Sequence, residues 1–116
     1  MGTGRPTPPT VLTPEQIDAI PDTPLGSLEH VTHRVLYQHG DAEAGVLTIA
    51  GGHALGHHTH RLNHHHMWVL DGHATVLGKQ LRRGSYAHIP AGVEHDIDAT
   101  TTEGCTVLYL YLPPST

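Results

Sequence analysis

His58 and His60 stand two residues apart in a chain of 116 residues that carries thirteen histidines. On an extended strand that spacing sends both imidazoles to one face. His65 follows across a short connection, at the start of the next predicted strand. His95 comes thirty residues after it, just beyond Pro90-Ala91-Gly92, a turn that sets how the chain enters its strand. Three or four imidazoles converging from neighbouring strands form a nitrogen-rich pocket. Neutral imidazole suits zinc, iron, nickel and copper rather than magnesium or calcium. A purification tag does not account for the histidines, which lie mid-chain and are interrupted by Thr59, Arg61, Leu62 and Asn63. His53, His57, His66, His73 and His88 lack this spacing and read as surface or supporting residues. His33 and Tyr37 share a predicted strand face with Val31 and Val35, where they could line a cavity.

The elements that must position these residues are mostly strands. Residues 1–13 are rich in Thr, Pro and Gly and read as an arm. Thr13-Pro14-Glu15-Gln16 then reads as a helix start, with Thr13 as N-cap, Pro14 first in the helix and Gln16 closing a capping box. Pro21 stops that helix after about two turns. From His30 the pattern has period two: Val31, His33, Val35, Tyr37 and His39 on one face, Thr32, Arg34, Leu36 and Gln38 on the other. A turn at Gly40-Asp41 leads to a run from Gly45 to Ala50. Further strands are predicted at 54–62, 65–70, 73–78, 85–89, 94–99 and 105–112, parted by turns that include Asp71-Gly72, Gly78 and Glu103-Gly104. Several short strands at this spacing predict an all-β sandwich or barrel of antiparallel strands with one short N-terminal helix.

Composition narrows the function classes. Hydrophobic residues make up 37% and charged residues 15% of the chain, the balance of a globular domain rather than a disordered one. Six Lys+Arg against eleven Asp+Glu give a formal net charge of −5, which argues against a nucleic acid or an acidic membrane as partner. The apolar runs are too short to span a bilayer. No basic stretch followed by an apolar one lies near Met1, so a secretory signal is not expected. Cys105 is the single cysteine and has no internal disulfide partner, consistent with a reducing cytoplasm. In a strand it packs like a small hydrophobe.

The histidine pattern resembles a known family. Gly52, five residues, His58-Thr59-His60, then His65, then six residues to Gly72 look like the first motif of the cupins. Gly84, five residues, Pro90-Ala91-Gly92, two residues and His95 look like the second. The resemblance implies a cupin jelly roll, with residues 1–29 as an arm bearing the helix and 30–116 as a single cupin domain. It also implies one divalent metal held by His58, His60, His65 and His95. Most metal-binding cupins have Glu where this chain has His65. An alternative alignment places His64 there, but the six residues before Gly72 and the inward phase shared with Met67 and Val69 favour His65. Four neutral ligands leave a dication its full charge, which strengthens it as a Lewis acid and tilts the expectation toward zinc. Iron, nickel and copper stay open.

Cupin folds serve many functions, so the site must choose among them. An apolar lining of Leu62, Met67, Val69 and Ile97 suits a flat substrate with carbonyl oxygens. The four histidines and short length are similar to the small monocupin cyclases of bacterial aromatic polyketide pathways. That likeness implies aldol cyclisation and dehydration of a poly-β-keto chain, carried on an acyl carrier protein. From their shared strand face, His33 and Tyr37 are the candidate proton-transfer or oxyanion groups. It implies a homodimer as well. Two other readings stay open: a dioxygenase acting on a diketone or enol, and a non-enzymatic metal or small-molecule sensor. The sensor expects a partner domain for its output, for which 116 residues leave no room.

Overall fold

The computed structural model describes residues 8–56, 63–99, 101 and 103–113. The helix begins as the sequence predicts. The Gln16 N–H donates to Thr13 Oγ1 at 3.2 Å, and the Thr13 N–H donates back to Gln16 Oε1 at 2.9 Å. This reciprocal pair satisfies two donors that would otherwise be orphaned. The helix, α1 (Pro14–Asp18), has only five residues, less than the two turns expected. Beyond it the Ile20 carbonyl accepts from Arg34 Nε at 2.9 Å, which ties the segment to the sheet. Among the described residues no helix is long and apolar enough to cross a membrane.

Nine strands follow among the described residues: β1 (Thr23–Pro24), β2 (Val31–His39), β3 (Ala42–Ile49), β4 (His53–Ala54), β5 (His64–Val76), β6 (Lys79–Arg82), β7 (Tyr86–Ile89), β8 (Asp98–Ala99) and β9 (Cys105–Leu112). All pair antiparallel, in the order β1-β2-β3-β9-β5-β8-β4, with β6 and β7 also on β5. The sheet curls around one buried face. Alternate residues fill it: Leu47 and Ile49 from β3, Met67 and Val69 from β5, Val107 and Tyr109 from β9, joined by Ile89 from β7 and by Ile97 just before β8. Burying that face is the main force holding the curl closed. The all-β class with a short N-terminal helix is the one the sequence predicts.

Two irregularities depart from the sequence reading. The predicted turn at Asp71-Gly72 is no turn, because β5 runs straight through it. Its register shifts there against β9, between Val69 and Asp71. Gly72 has φ 77°, and a Cβ on it would strike the Gly104 carbonyl. A left-handed glycine serves a bulge as readily as a hairpin, so the dipeptide alone does not distinguish them. The first half of β5 pairs with β7 and β9, and its end pairs with β6 and β8. The turn predicted at Gly78 is present: Leu77 and Gly78, with φ 47° and 80°, join β5 to β6, a strand that was not predicted.

The second irregularity is in β2, whose register shifts between Val35 and Tyr37. Before it, Val31, His33 and Val35 face Ile49, Leu47 and Gly45; after it, Tyr37 faces Ala44. The predicted common face of His33 and Tyr37 is therefore broken by an inserted residue. At the remaining strands the bounds differ more simply. β9 spans 105–112 as predicted, and β8 is a two-residue remnant of the predicted 94–99; β4 touches the start of the predicted 54–62, of which 57–62 lie outside the described residues.

Candidate metal centre

His65 and His95 meet inside the curl. They are 1% and 2% exposed, and they are the buried polar side chains of the described core. His65 reaches the interior because β5 alternates strictly there: His65, Met67 and Val69 are buried while His64 and His66 lie on the opposite face. His64 Nδ1 instead accepts from the Ala91 N–H at 3.3 Å. The inward phase expected for His65 rather than His64 is thus the one found. His95 follows Pro90-Ala91-Gly92, where Gly92 has φ 87°. The turn swings the chain back over the sheet, and Ile97 is buried two residues on.

The ring nitrogens of the pair face each other within hydrogen-bonding distance. His95 Nδ1–H donates to the Val93 carbonyl at 3.0 Å, which fixes the tautomer and leaves Nε2 with its lone pair. That Nε2 lies 3.2 Å from His65 Nδ1. Two imidazole nitrogens bound to one tetrahedral ion, each at about 2.0–2.1 Å, are separated by about 3.3–3.4 Å. The pair therefore fits a shared ion with little movement. Tyr111 packs its ring 4.8 Å from that of His65, at an interplanar angle of 56°, and limits its rotation.

The other proposed ligands, His58 and His60, lie outside the described residues, as do His57 and the lining residue Leu62. Among the described residues no group of three or more His, Cys, Asp or Glu side chains is set to hold a metal. Two of the four expected donors are thus seen together, and they are the two that come from different parts of the sequence.

His33 and Tyr37 are not brought to this pair. Tyr37 is opposite Ala44, which is opposite Leu110, which is opposite His66, a row on the outer face. His33 keeps the inner register, but its row runs through Leu47 and Val107 to Val69, four positions along β5 from His65. At about 3.3 Å per residue that offset is about 13 Å. Its Nδ1–H donates to the Thr23 carbonyl at 3.3 Å, at the edge of the sheet.

Sequence reasoning passed over Tyr111, which packs on His65, and over Tyr109 and Glu43, which follow it in a chain of contacts. Tyr109 is 2% exposed, and its hydroxyl donates to Glu43 Oε2 at 2.6 Å. Burial, then the bond to Glu43, holds the Tyr109 phenol well above the usual tyrosine range; burial and the Glu43 charge do the same for Tyr111. The available signal was phase, because Tyr109 and Tyr111 alternate with Cys105 and Val107. His64, His66 and His88 form an outer ladder with aromatic neighbours. His66 and His88 stack at 4.7 Å, and His66 Nδ1 is 2.6 Å from the Tyr86 hydroxyl.

Comparison with known proteins places this geometry. The family model described as the ChrR cupin-like domain matches residues 14–113. No curated protein matches the chain. Among solved structures, it is similar to a chain in the complex of Rhodobacter sphaeroides SigE with the anti-sigma ChrR, with 26% identity and a TM-score of 0.69. That match covers 80% of this chain and 49% of the other, so the present chain spans about half the length of that relative. It is similar to the polyketide cyclase RemF from Streptomyces resistomycificus, with 16% identity, a TM-score of 0.75, and 90% and 81% of the two chains covered. An RmlC-like cupin from Shewanella frigidimarina has 20% identity and a TM-score of 0.70, with 83% and 86% covered. The last two likenesses speak to the fold.

Proposed function

We propose that this chain, which belongs to the ChrR cupin-like domain family, is a metal-dependent cyclase that closes rings in a poly-β-keto chain by aldol addition and dehydration. The reading is carried by the buried His65–His95 pair, two nitrogens at 3.2 Å with the His95 tautomer set for coordination. His58 and His60 complete the ligand set, and zinc is the proposed ion. When bound, such an ion supplies Lewis acidity at a substrate carbonyl. The chain's own residues do the rest. The Val93 carbonyl and the Tyr111 ring hold the two imidazoles in place. Met67, Ile89 and Ile97 place apolar surface around the pair. A flat polyketone held bent against that wall brings its nucleophilic carbon to the acceptor carbonyl, a gain from proximity. The likeness to RemF over most of both chains supports this choice of reaction. Delivery by an acyl carrier protein, a homodimeric assembly and a cytoplasmic setting belong to the same proposal.

The family match favours a second reading: a sensing domain that binds a metal and a small molecule and signals to a protein partner. The similarity to a chain of the SigE–ChrR complex supports it. One experiment separates the two. Protein purified without added metal is analysed for its elements, then incubated anaerobically with a synthetic poly-β-ketone. Near-stoichiometric zinc and cyclised product support the cyclase. Bound zinc with binding but no product overturns it in favour of the sensor. Iron, nickel or copper with oxygen uptake on a diketone overturns it in favour of the dioxygenase.

A further inference from the structure

β6 and β7 each pair with β5 alone, β7 along its first half and β6 along its end. Among the described residues their far edges carry no further strand. Between those edges lies a cleft of about 310 Å³, at the small end of the range of small-molecule sites. Its walls follow from strand phase. Val76 and Ile89 belong to the buried core, and Leu81 and Ala87 pack against that core from β6 and β7. Tyr86 and His88 stand at the β7 rim, and Leu77 and Lys79 at the rim formed by the β5–β6 turn.

Two residues at that rim do not suit their positions by folding alone. Lys79 is opposite the buried Val76, and Leu81, two residues on, is opposite the buried Ala74. Cross-strand partners share a face, so Lys79 occupies an inward position. Its apolar stem runs along the cleft wall and its ammonium stays at the mouth. No carboxylate lines the cleft, and among the described residues Lys79 forms no ion pair. Leu77 departs in its backbone. Its φ of 47° is a left-handed value that leucine rarely takes, and its side chain is 61% exposed beside the cleft. Strain kept under an exposed apolar side chain is the mark of a residue held for something other than folding.

We propose that this cleft binds a flat apolar monoanion, an aromatic carboxylate of about two rings, with its ring between Leu77 and the Leu81–Ile89 wall and its carboxylate on the Lys79 ammonium. The lining selects that class. A hydrocarbon leaves the lysine unanswered, a cation is repelled by it, and a sugar finds too few polar partners on these walls. Tyr86 and His88 add ring surface for an aromatic body at the opposite rim. Ile89 is the cross-strand neighbour of His65, which sets the cleft beside the histidine pair, but none of the lining residues is a proposed metal ligand. The inference goes beyond the cyclase reading and needs no metal.

The probe is 2-naphthoate, titrated calorimetrically into the full chain, both zinc-loaded and treated with chelator. It binds one to one with a Kd on the order of 0.1–1 mM, and more weakly as salt is raised. Lys79→Gln weakens it about fivefold and leaves the affinity for the neutral analogue 2-naphthalenemethanol unchanged. Leu77→Asn weakens naphthoate about fivefold as well, with the melting temperature held or raised. Both side chains are exposed, so neither substitution threatens the fold. Native affinity in either variant overturns the proposal; in Lys79→Gln it reduces the lysine to a guard against edge pairing. An equal loss for the neutral analogue overturns it too, as does the lack of saturable binding at about 10 mM. Binding that disappears with chelator puts the carboxylate on a metal and has the same consequence. Failure of zinc to bind, by contrast, sinks the metal reading and leaves this one standing.

Discussion

Cys105 shows how one buried side chain carries a pH dependence. It is 3% exposed on the inner face of β9, and burial, aided by the charge of Asp71, pushes its thiol up to about 11. In the unfolded chain the same thiol ionises near 9. A folded value above the unfolded one means that its contribution to stability is complete below pH 9 and is lost as pH rises toward 11. Two pH units correspond to about 2–3 kcal/mol. Denaturant unfolding of Cys105→Ala and native protein between pH 8 and 11 tests this. The native protein should lose that much more stability over the range, and its thiol should stay unreactive to iodoacetamide at pH 8. Burial of Cys105 was legible in its uncharged strand. The inward phase of His65 was legible for the same reason, since Met67 and Val69 alternate with it.

At the scale of elements, turn chemistry separates the correct readings from the failures. The capping box at Thr13 and Gln16 is local, so its four residues suffice to predict it. The bulge in β2 has no glycine or proline within the strand to announce it. Its sign is Gly45 on the partner, a relation visible only once the strands are paired. The turn at Gly78 was legible, but the returning strand β6 was not, because Leu77 takes the left-handed position that Asn or Asp usually fills in a hairpin. Leu77 is 61% exposed, so nothing in the core repays the strain. Leu77→Asn is expected to stabilise the fold by roughly 1 kcal/mol, in line with the cost of a left-handed residue. An unchanged or lower denaturation midpoint would count against the strained-turn assignment.

For the molecule as a whole, on the metal-centred reading proposed above, folding and metal binding at the buried histidine pair form one equilibrium. An ion bound only by the folded state stabilises it by about 2.7 kcal/mol at a hundredfold excess over Kd. For a chain of this size that is a shift in Tm of roughly 10 °C. Calorimetry before and after chelator should show a fall of that order, reversed by zinc, and an unchanged Tm would refute metal binding at the pair. The amino-acid sequence alone determined the β class, the helix cap and the motif that marks His65 and His95, because each depends on local phase or on spacing along the chain. Only the tertiary structure decided which side chains share a row. It removed Tyr37 from the inner face and brought Glu43 into line with His65 through Tyr111. Those relations depend on strand register and bulges, which are set by packing between segments distant in the chain.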